Sequence, residues 1–528
     1  MDVVDFFCGA GGFSEGFYQA GFNVVRAFDI WEPAITTHNK NHQSKEPIAV
    51  YGDIHRIAWL SDEDFEKEVP DSEIIIGSPP CVAFSNSNKS GKADKTLGIT
   101  LLESYLRIVA RKKIKKDSKL KYWILENVQN IESYIKDSYT MKDLGLKGDY
   151  VLNVKTETSR VYNVKYYGVP SNRKRYICGD FPEPEQVLKD SNLKTLRTVY
   201  SSLGDPYEKI NKVIVDPSFS ISMEGSMVTD HHYFKEIAEF EWKKAKRQKQ
   251  DKGYMGRMAF PENEDKPART IMATMSASSR ESMIFKFGEN ENRYRYPTIR
   301  EVATIMSFPI DYRFYGDSDS IKYRLVGNAV PPRFSYSLAI AIKKKENIEL
   351  NSNTKKKVFL DCDSSFINLN GKTFPIKLEK EKKYNARYKY HIPYLIIDTY
   401  RVELQNSFNE EEVIWKAEIH KGQGKRAKVY SSIQYDLSFL NPKDLKKINK
   451  EIGILKSKIL SYEIFQKSYC MTSSDRERNN LIGPDELLEK IKIIIDNDFN
   501  EYSSKYPIQN IDLELPQKII IPFFKLYN

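Results

Sequence analysis

At 528 residues, with 40% hydrophobic and 29% charged residues, the chain reads as a globular protein of about three packing units, and no apolar run reaches the length needed to span a bilayer. Five scattered cysteines (Cys8, Cys81, Cys178, Cys362 and Cys470), odd in number and without a C-x-x-C pair, leave no disulfide framework or zinc site to expect. A net charge of +10, with basic clusters at residues 111–116, 243–249 and 355–357, suits a polyanionic partner, although any one run taken alone is a solvated helix face or a linker.

In chain order, residues 3–7, 24–28, 74–76, 122–125 and 176–178 are apolar runs short enough for buried strands. The start lacks the basic region of a secretory signal, so a cytoplasmic protein is expected. Helical patterns lie between the runs; Leu102, Leu106 and Val109 form an apolar stripe with Tyr105 beside it, suited to packing on a sheet. This order predicts an α/β, doubly wound, Rossmann-like domain with a mostly parallel sheet over residues 1–182, completed by 320–345. Across 183–319 the periodicity weakens and turns, aromatics and basic residues mix, as in a small inserted domain. Residues 346–357 read as a linker. Residues 358–528 read as an α+β accessory domain, with strands at 358–360, 394–397 and 413–419 and helices at 443–462 and 485–495.

The chemistry-bearing residues gather at strand ends. Phe7, Gly9, Gly11 and Gly12, in Asp5-Phe-Phe-Cys-Gly-Ala-Gly-Gly-Phe13, follow the first strand and open a helix, so backbone can approach a nucleotide-like ligand closely. Asp29 and Asp53 end the next two strands, where carboxylates suit a ribose diol and an adenine amine; an adenosine-bearing cofactor is the simplest fit. The fourth strand runs into Gly77-Ser-Pro79-Pro80-Cys81, which holds a cysteine at the mouth of the sheet for nucleophilic work, given a neighbour that stabilises its thiolate. Glu126, in Leu-Glu-Asn-Val, ends another strand where it can meet Cys81 and protonate or hydrogen-bond a ring nitrogen. Arg173 and Arg175 lie two apart, on one face of a short strand, and can hold a phosphate or a base oxygen. The seven histidines show no metal-ligand spacing.

Taken in order, these segments resemble the cytosine-5 DNA methyltransferase family over roughly the first 345 residues: the glycine loop, Pro-Cys81, Glu126-Asn-Val, Arg173-x-Arg175, then Lys266-Pro-Ala-Arg269-Thr270, Thr298-Ile-Arg300-Glu301 and Gly327-Asn328-Ala-Val330-Pro-Pro332. The resemblance implies S-adenosylmethionine as cofactor, held by Phe7, Gly9, Gly11, Gly12, Asp29, Asp53, Pro79, Asn328 and Val330, no metal, and catalysis by Cys81, Glu126, Arg173 and Arg175 on a cytosine flipped out of double-stranded DNA. It further implies a target-recognition domain at 183–319, where the lysine run 243–249 would meet phosphates and where His231 and His232 read as loop residues near DNA or solvent. A monomer at the bacterial nucleoid, shielding DNA from a separately encoded restriction endonuclease, is the implied setting. Two positions depart from the family pattern: Val82 and Ser171 stand where glutamine is usual.

Other readings stay open. The same fold and cysteine chemistry would serve an RNA cytosine methyltransferase, though the large insert favours duplex DNA, and a binding module that lost catalysis is opposed by the presence of Cys81 and Glu126. In the C-terminal region, Lys382, Lys383, Arg387 and Lys389 interleave with Tyr384, Tyr388 and Tyr390, as in a nucleic-acid surface or an amphipathic strand face. Asp398, Glu418 and Lys421 follow apolar strands in the order of a metal-dependent nuclease. The Glu-Lys spacing is one residue longer than an alternating pattern, so DNA or partner binding is preferred.

Overall fold

The computed structural model describes residues 1–80, 95–208, 212–250, 257–288, 292–350, 355–357, 359, 363–397, 400–409, 412–421, 428–430 and 442–498. They fall into two compact units, residues 1–236 with 261–375, and residues 237–260 with 376–498.

The first unit is built on β1 (Asp2–Phe6), β2 (Asn23–Asp29), β3 (Ala49–Tyr51), β4 (Ile74–Gly77) and β5 (Tyr122–Asn127), all parallel, with the antiparallel strands Lys174–Asp180 and Arg160–Asn163 extending the β5 edge. The spatial order β3-β2-β1-β4-β5 is the expected doubly wound arrangement. Side chains alternate across it as the pleat requires. Val4, Phe6, Ile75, Trp123 and Leu125 face the long helix Lys95–Ile114, whose Leu102, Tyr105, Leu106 and Val109 are buried. Val3, Ile74, Ile76 and Ile124 face the other side, against Phe13 and Phe17 of α1 (Gly12–Gln19) and Phe334 and Leu338 of the helix Pro332–Lys345.

Two glycines let these layers close. A side chain at Gly77 would lie 2.3 Å from the Tyr105 ring, whose hydroxyl donates to the Ile124 carbonyl at 2.8 Å. A side chain at Gly16 would lie 2.4–2.5 Å from Ser335 Cβ, the Tyr336 amide nitrogen and the Pro332 carbonyl, so α1 and the helix Pro332–Lys345 meet backbone to backbone.

The inserted stretch packs into a core in which Leu196, Val199 and Leu203 meet Ile299, Val302, Ile305 and Phe308, and which it shares with Ala10, Ala34 and Val326 of the flanking segments. Its boundary differs from the expected 183–319. The helix Glu239–Gln250 buries Trp242 and Ala245 and belongs to the second unit, where Arg247 pairs with Glu489 and Lys377 with Glu241. The expected linker at 346–357 also differs, because Lys355 and Lys357 dock onto the first unit. In the basic run 111–116, Arg111 is buried on the carbonyls of Ala58 and Leu60 and on Asp62, and Lys112 on Glu66, Asp71 and the Val69 carbonyl. Those two side chains serve the fold rather than a polyanion.

The second unit carries an antiparallel sheet, Lys389–Ile397, Tyr400–Asn409, Glu412–Lys421 and Lys428–Tyr430, followed by helices Pro442–Ile459, Tyr462–Cys470, Ser473–Arg478 and Pro484–Asp498. Trp415 is buried against Tyr388, Phe465 and Tyr469. Of the strand expected at 358–360, residues 358 and 360 lie outside the described residues and Phe359 is not in a strand. Among the described residues no helix is long and apolar enough to cross a membrane. Gly16→Ala should lower the urea stability of the first unit by about 2–3 kcal/mol, because the added methyl meets backbone that cannot turn aside; an unchanged midpoint would mean that the two helices separate freely.

Candidate active site

The turn from β1 into α1 is held open by backbone conformation. Phe7, Gly9 and Gly11 adopt φ of 58°, 54° and 88°, and a side chain at Gly9 would meet nothing within 4 Å. Asp29, at the end of β2, fixes the turn: Oδ2 accepts from the Gly9 amide at 2.8 Å and Oδ1 from the Trp31 amide at 2.9 Å. Burial pushes the Asp29 carboxyl up, against those backbone donors. Asp53 is exposed and caps the helix Ile54–Ala58, with Oδ1 accepting from the His55 and Arg56 amides. Ile30, which the sequence reading passed over, stands 64% exposed at the end of β2. An open glycine turn, two strand-end carboxylates and an exposed apolar side chain are a donor and contact set that fits an adenosine cofactor.

Behind the turn the polar groups are buried. Ser14 Oγ donates to Asp5 Oδ2 at 2.6 Å and lies 3.0 Å from His38 Nε2; burial lifts the Asp5 carboxyl to about 8 and keeps His38 neutral. Cys8 and Cys178 are buried with their thiols pushed up, so neither is an activated nucleophile.

β4 and β5 are neighbours, with Gly77 opposite Leu125. The Ser78 amide donates to the Phe6 carbonyl, and Asn127 Nδ2 donates to the Pro79 carbonyl at 3.0 Å, so the Pro79-Pro80 turn is tied to both flanking strands. Cys81 and Val82 lie outside the described residues. Glu126 is 6% exposed, and its Oε1 lies 3.0 Å from Arg175 Nε. The N–H is not aimed along that line, so Oε1 is an ion-pair partner that accepts no hydrogen bond among the described residues.

Arg173 and Arg175 do not act as a pair. Arg175 reaches Glu126 and the Lys174 carbonyl, whereas the buried Arg173 donates to the carbonyls of Ile271, Gly327 and Ala329. Arg173 therefore positions the closing segment, in which Asn328 is exposed and Val330 buried. The Val330 carbonyl lies 2.2 Å from where a Gly12 side chain would begin. Ser171 is buried in a short parallel pairing with Ala268, which joins the Lys266-to-Thr270 motif to the site. His231 is a correction: it is fully buried, 3.2 Å from Thr298 Oγ1, and burial drives its pKa down to about 3, while His232 is half-buried.

In the second unit Asp398 lies outside the described residues, and Glu418 pairs with Lys416 at 2.7 Å. Among the described residues no group of three acidic, histidine or cysteine side chains is arranged to hold a metal.

A family model for C-5 cytosine-specific DNA methylases matches residues 1–344. The type II methyltransferase M.MthTI of Methanothermobacter thermautotrophicus is 30% identical over 373 residues, covering 65% of this chain and 97% of its own, and M.NgoPII of Neisseria gonorrhoeae is 28% identical over 375 residues, covering 65% and 96%. The crystal structure of S. pombe Dnmt2 methyltransferase matches with a TM-score of 0.40 and 19% identity, over 65% of this chain and 99% of that one. With its glycine turn, its Pro-Cys segment and its buried glutamate in family order, the chain belongs to the C-5 cytosine-specific DNA methylases, which transfer a methyl group from S-adenosylmethionine to C5 of cytosine in DNA.

Proposed function

We propose that this chain methylates a cytosine within a specific duplex sequence through a covalent adduct at Cys81, as the modification enzyme of a restriction–modification pair. The observation that carries the catalytic part is Glu126: a buried carboxylate at the end of β5 with an oxygen that accepts no hydrogen bond among the described residues, one strand from the end of β4 that leads into Cys81. A flipped cytosine offers that oxygen its N3 edge. Addition of the Cys81 thiolate to C6 sends an electron pair into the ring, and a proton held between Glu126 and N3 stabilises the resulting charge at that edge. C5 is then nucleophilic enough to form a new C–C bond. Loss of the C5 proton to a base returns the electron pair, breaks the C6–S bond and frees Cys81. S-adenosylmethionine, when bound, supplies the electrophilic methyl; Phe7, Gly9, Gly11, Gly12, Asp29, Asp53, Pro79, Asn328 and Val330 would hold it. Arg175 keeps Glu126 in place at 3.0 Å.

The inserted stretch is assigned target recognition, and the second unit an accessory DNA-binding role. Supporting the latter are the exposed Lys243, Lys244 and Lys246 on the helix Glu239–Gln250. Relatives named as type II methyltransferases support the restriction–modification setting, with a separately encoded endonuclease as partner, a monomeric enzyme and a cytoplasmic place at the nucleoid.

Cys81→Ser should abolish transfer of labelled methyl into duplex DNA, and Glu126→Gln should lower kcat by about 10²–10⁴; label in cytosine that survives Cys81→Ser would sink the covalent route. Transfer into RNA but not DNA would move the substrate. Replacing Lys243, Lys244 and Lys246 together by Ala should weaken duplex binding and reduce the slope of log K against log salt by up to about 3; an unchanged slope removes this helix from the interface.

A further inference from the structure

The family match ends at residue 344, yet the cofactor turn leans on a side chain beyond it. Lys357 Nζ lies 2.8 Å from Glu15 Oε2 and donates to the Asn41 carbonyl at 3.1 Å, with its own amide donating to Asp311 Oδ2 at 2.8 Å. Glu15 stands in the first turn of α1, three residues past Gly12, and is fully buried. Its Oε1 accepts from Gln19 Nε2, and its Oε2 also lies 2.8 Å from His42 Nε2. Gln19 in turn bonds both the amide and the carbonyl of Lys355, which fixes the approach of the segment. Burial alone would raise the Glu15 carboxyl, but the Lys357 ammonium and His42 bring it down to about 2. The ammonium also sits 5.0 Å from the Tyr312 ring, and the Tyr312 hydroxyl donates to the carbonyl of Ala10, inside the cofactor turn. Two routes thus run from one ammonium to the turn: through Glu15 to α1, whose Glu15 amide donates to the Gly11 carbonyl, and through Tyr312 to Ala10.

We propose that Lys357 is a positioning residue for S-adenosylmethionine binding: a buried cation delivered from beyond the residues that the family model matches, which holds the turn of residues 9–12 in its binding conformation. The proposal rests on the reading that this turn holds the cofactor. A buried carboxylate that loses its partner must find another or distort its helix, and the part of the structure with room to move is the open side of the turn.

The test uses the full-length protein. Lys357→Met, Lys357→Arg and the double variant Lys357→Met/Glu15→Gln are compared with wild type by calorimetric titration of S-adenosylmethionine without DNA, by amide hydrogen exchange of residues 8–16 in cofactor-free protein, and by duplex affinity. Lys357→Met should weaken cofactor binding about tenfold, as expected of a coupling between sites, and speed exchange in residues 8–16 while duplex affinity stays within about twofold. Lys357→Arg should stay nearest to wild type. The double variant, which leaves no unpaired buried charge, should recover part of the loss. Unchanged cofactor affinity and exchange in Lys357→Met would overturn the proposal, as would an equal loss of duplex affinity, the mark of a general collapse. Should Lys357→Met not fold, Glu15→Gln is read the same way, and wild-type cofactor affinity there overturns it. Asp29→Ala separates the two levels: if it too leaves affinity unchanged, the cofactor does not sit on this turn, whereas a loss in Asp29→Ala alone sinks only the role of Lys357.

Discussion

The space that a side chain at Gly12 would fill is taken by a backbone carbonyl from more than three hundred residues away. Val330 O lies 2.2 Å from that Cβ position, and the helix that follows meets Gly16 through its own backbone. This close approach clamps α1 between the sheet and the helix Pro332–Lys345, and so decides where the turn before α1 can point. Arg173 sets the position of the clamp by taking the carbonyls of Gly327 and Ala329 from the strand side of the site. The same short stretch of chain presents Arg175 to Glu126. The closing segment and the end of β5 are therefore registered to one another through two arginines that lie two apart in sequence and differ in task.

Among the described residues, several charged side chains are buried inside the fold. Of the three basic runs, the first turns Arg111 and Lys112 inward and the last docks Lys357 on Glu15, while the middle one keeps Lys243, Lys244 and Lys246 on the surface. Lys322 with Asp230 and Arg295 with Glu301 are further buried pairs, and Arg300 is fully buried on the Thr229, Pro309 and Tyr312 carbonyls. Such pairs gain little net stability once desolvation is counted, and what they specify is geometry. The Lys322–Asp230 pair joins segments distant in sequence, and Asp230 also accepts from the amide of Leu369 at 2.9 Å.

Four of the five parallel strands were legible in the sequence as short apolar runs, and β1, β2, β4 and β5 begin and end within two residues of those runs, whereas the three-residue β3 carried no such run. The stripe of Leu102, Leu106 and Val109 was equally plain. Glu126 and the glycine turn could be placed at a strand end and at a strand-to-helix turn because such positions are marked locally in the sequence. What the local pattern did not carry was pairing at a distance. Tyr400–Asn409 mixes polar and apolar residues and is held as a strand by ten partners on Glu412–Lys421. The helix Glu239–Gln250 has no feature that assigns it to residues more than a hundred positions later. Nothing in the lysines of 355–357 announces that one of them is destined for a buried carboxylate. Arg173 and Arg175 looked alike because spacing alone cannot tell a guanidinium that takes carbonyls from one that faces a carboxylate.

The clamp also orders events in time. A ribosome releases β1 and the glycine turn first and Val330 last, a lag of roughly 20–60 s at ordinary elongation rates. Through that interval α1 has no backbone to rest on, and the nascent chain presents Phe13 and Phe17 without their partners Phe334 and Leu338. The half-made enzyme cannot methylate, and it is also at its most exposed to chaperones and proteases. The turn before α1 therefore gains its support only after the chain has been synthesised through its first two thirds, a delay set by topology rather than by the chemistry of the site.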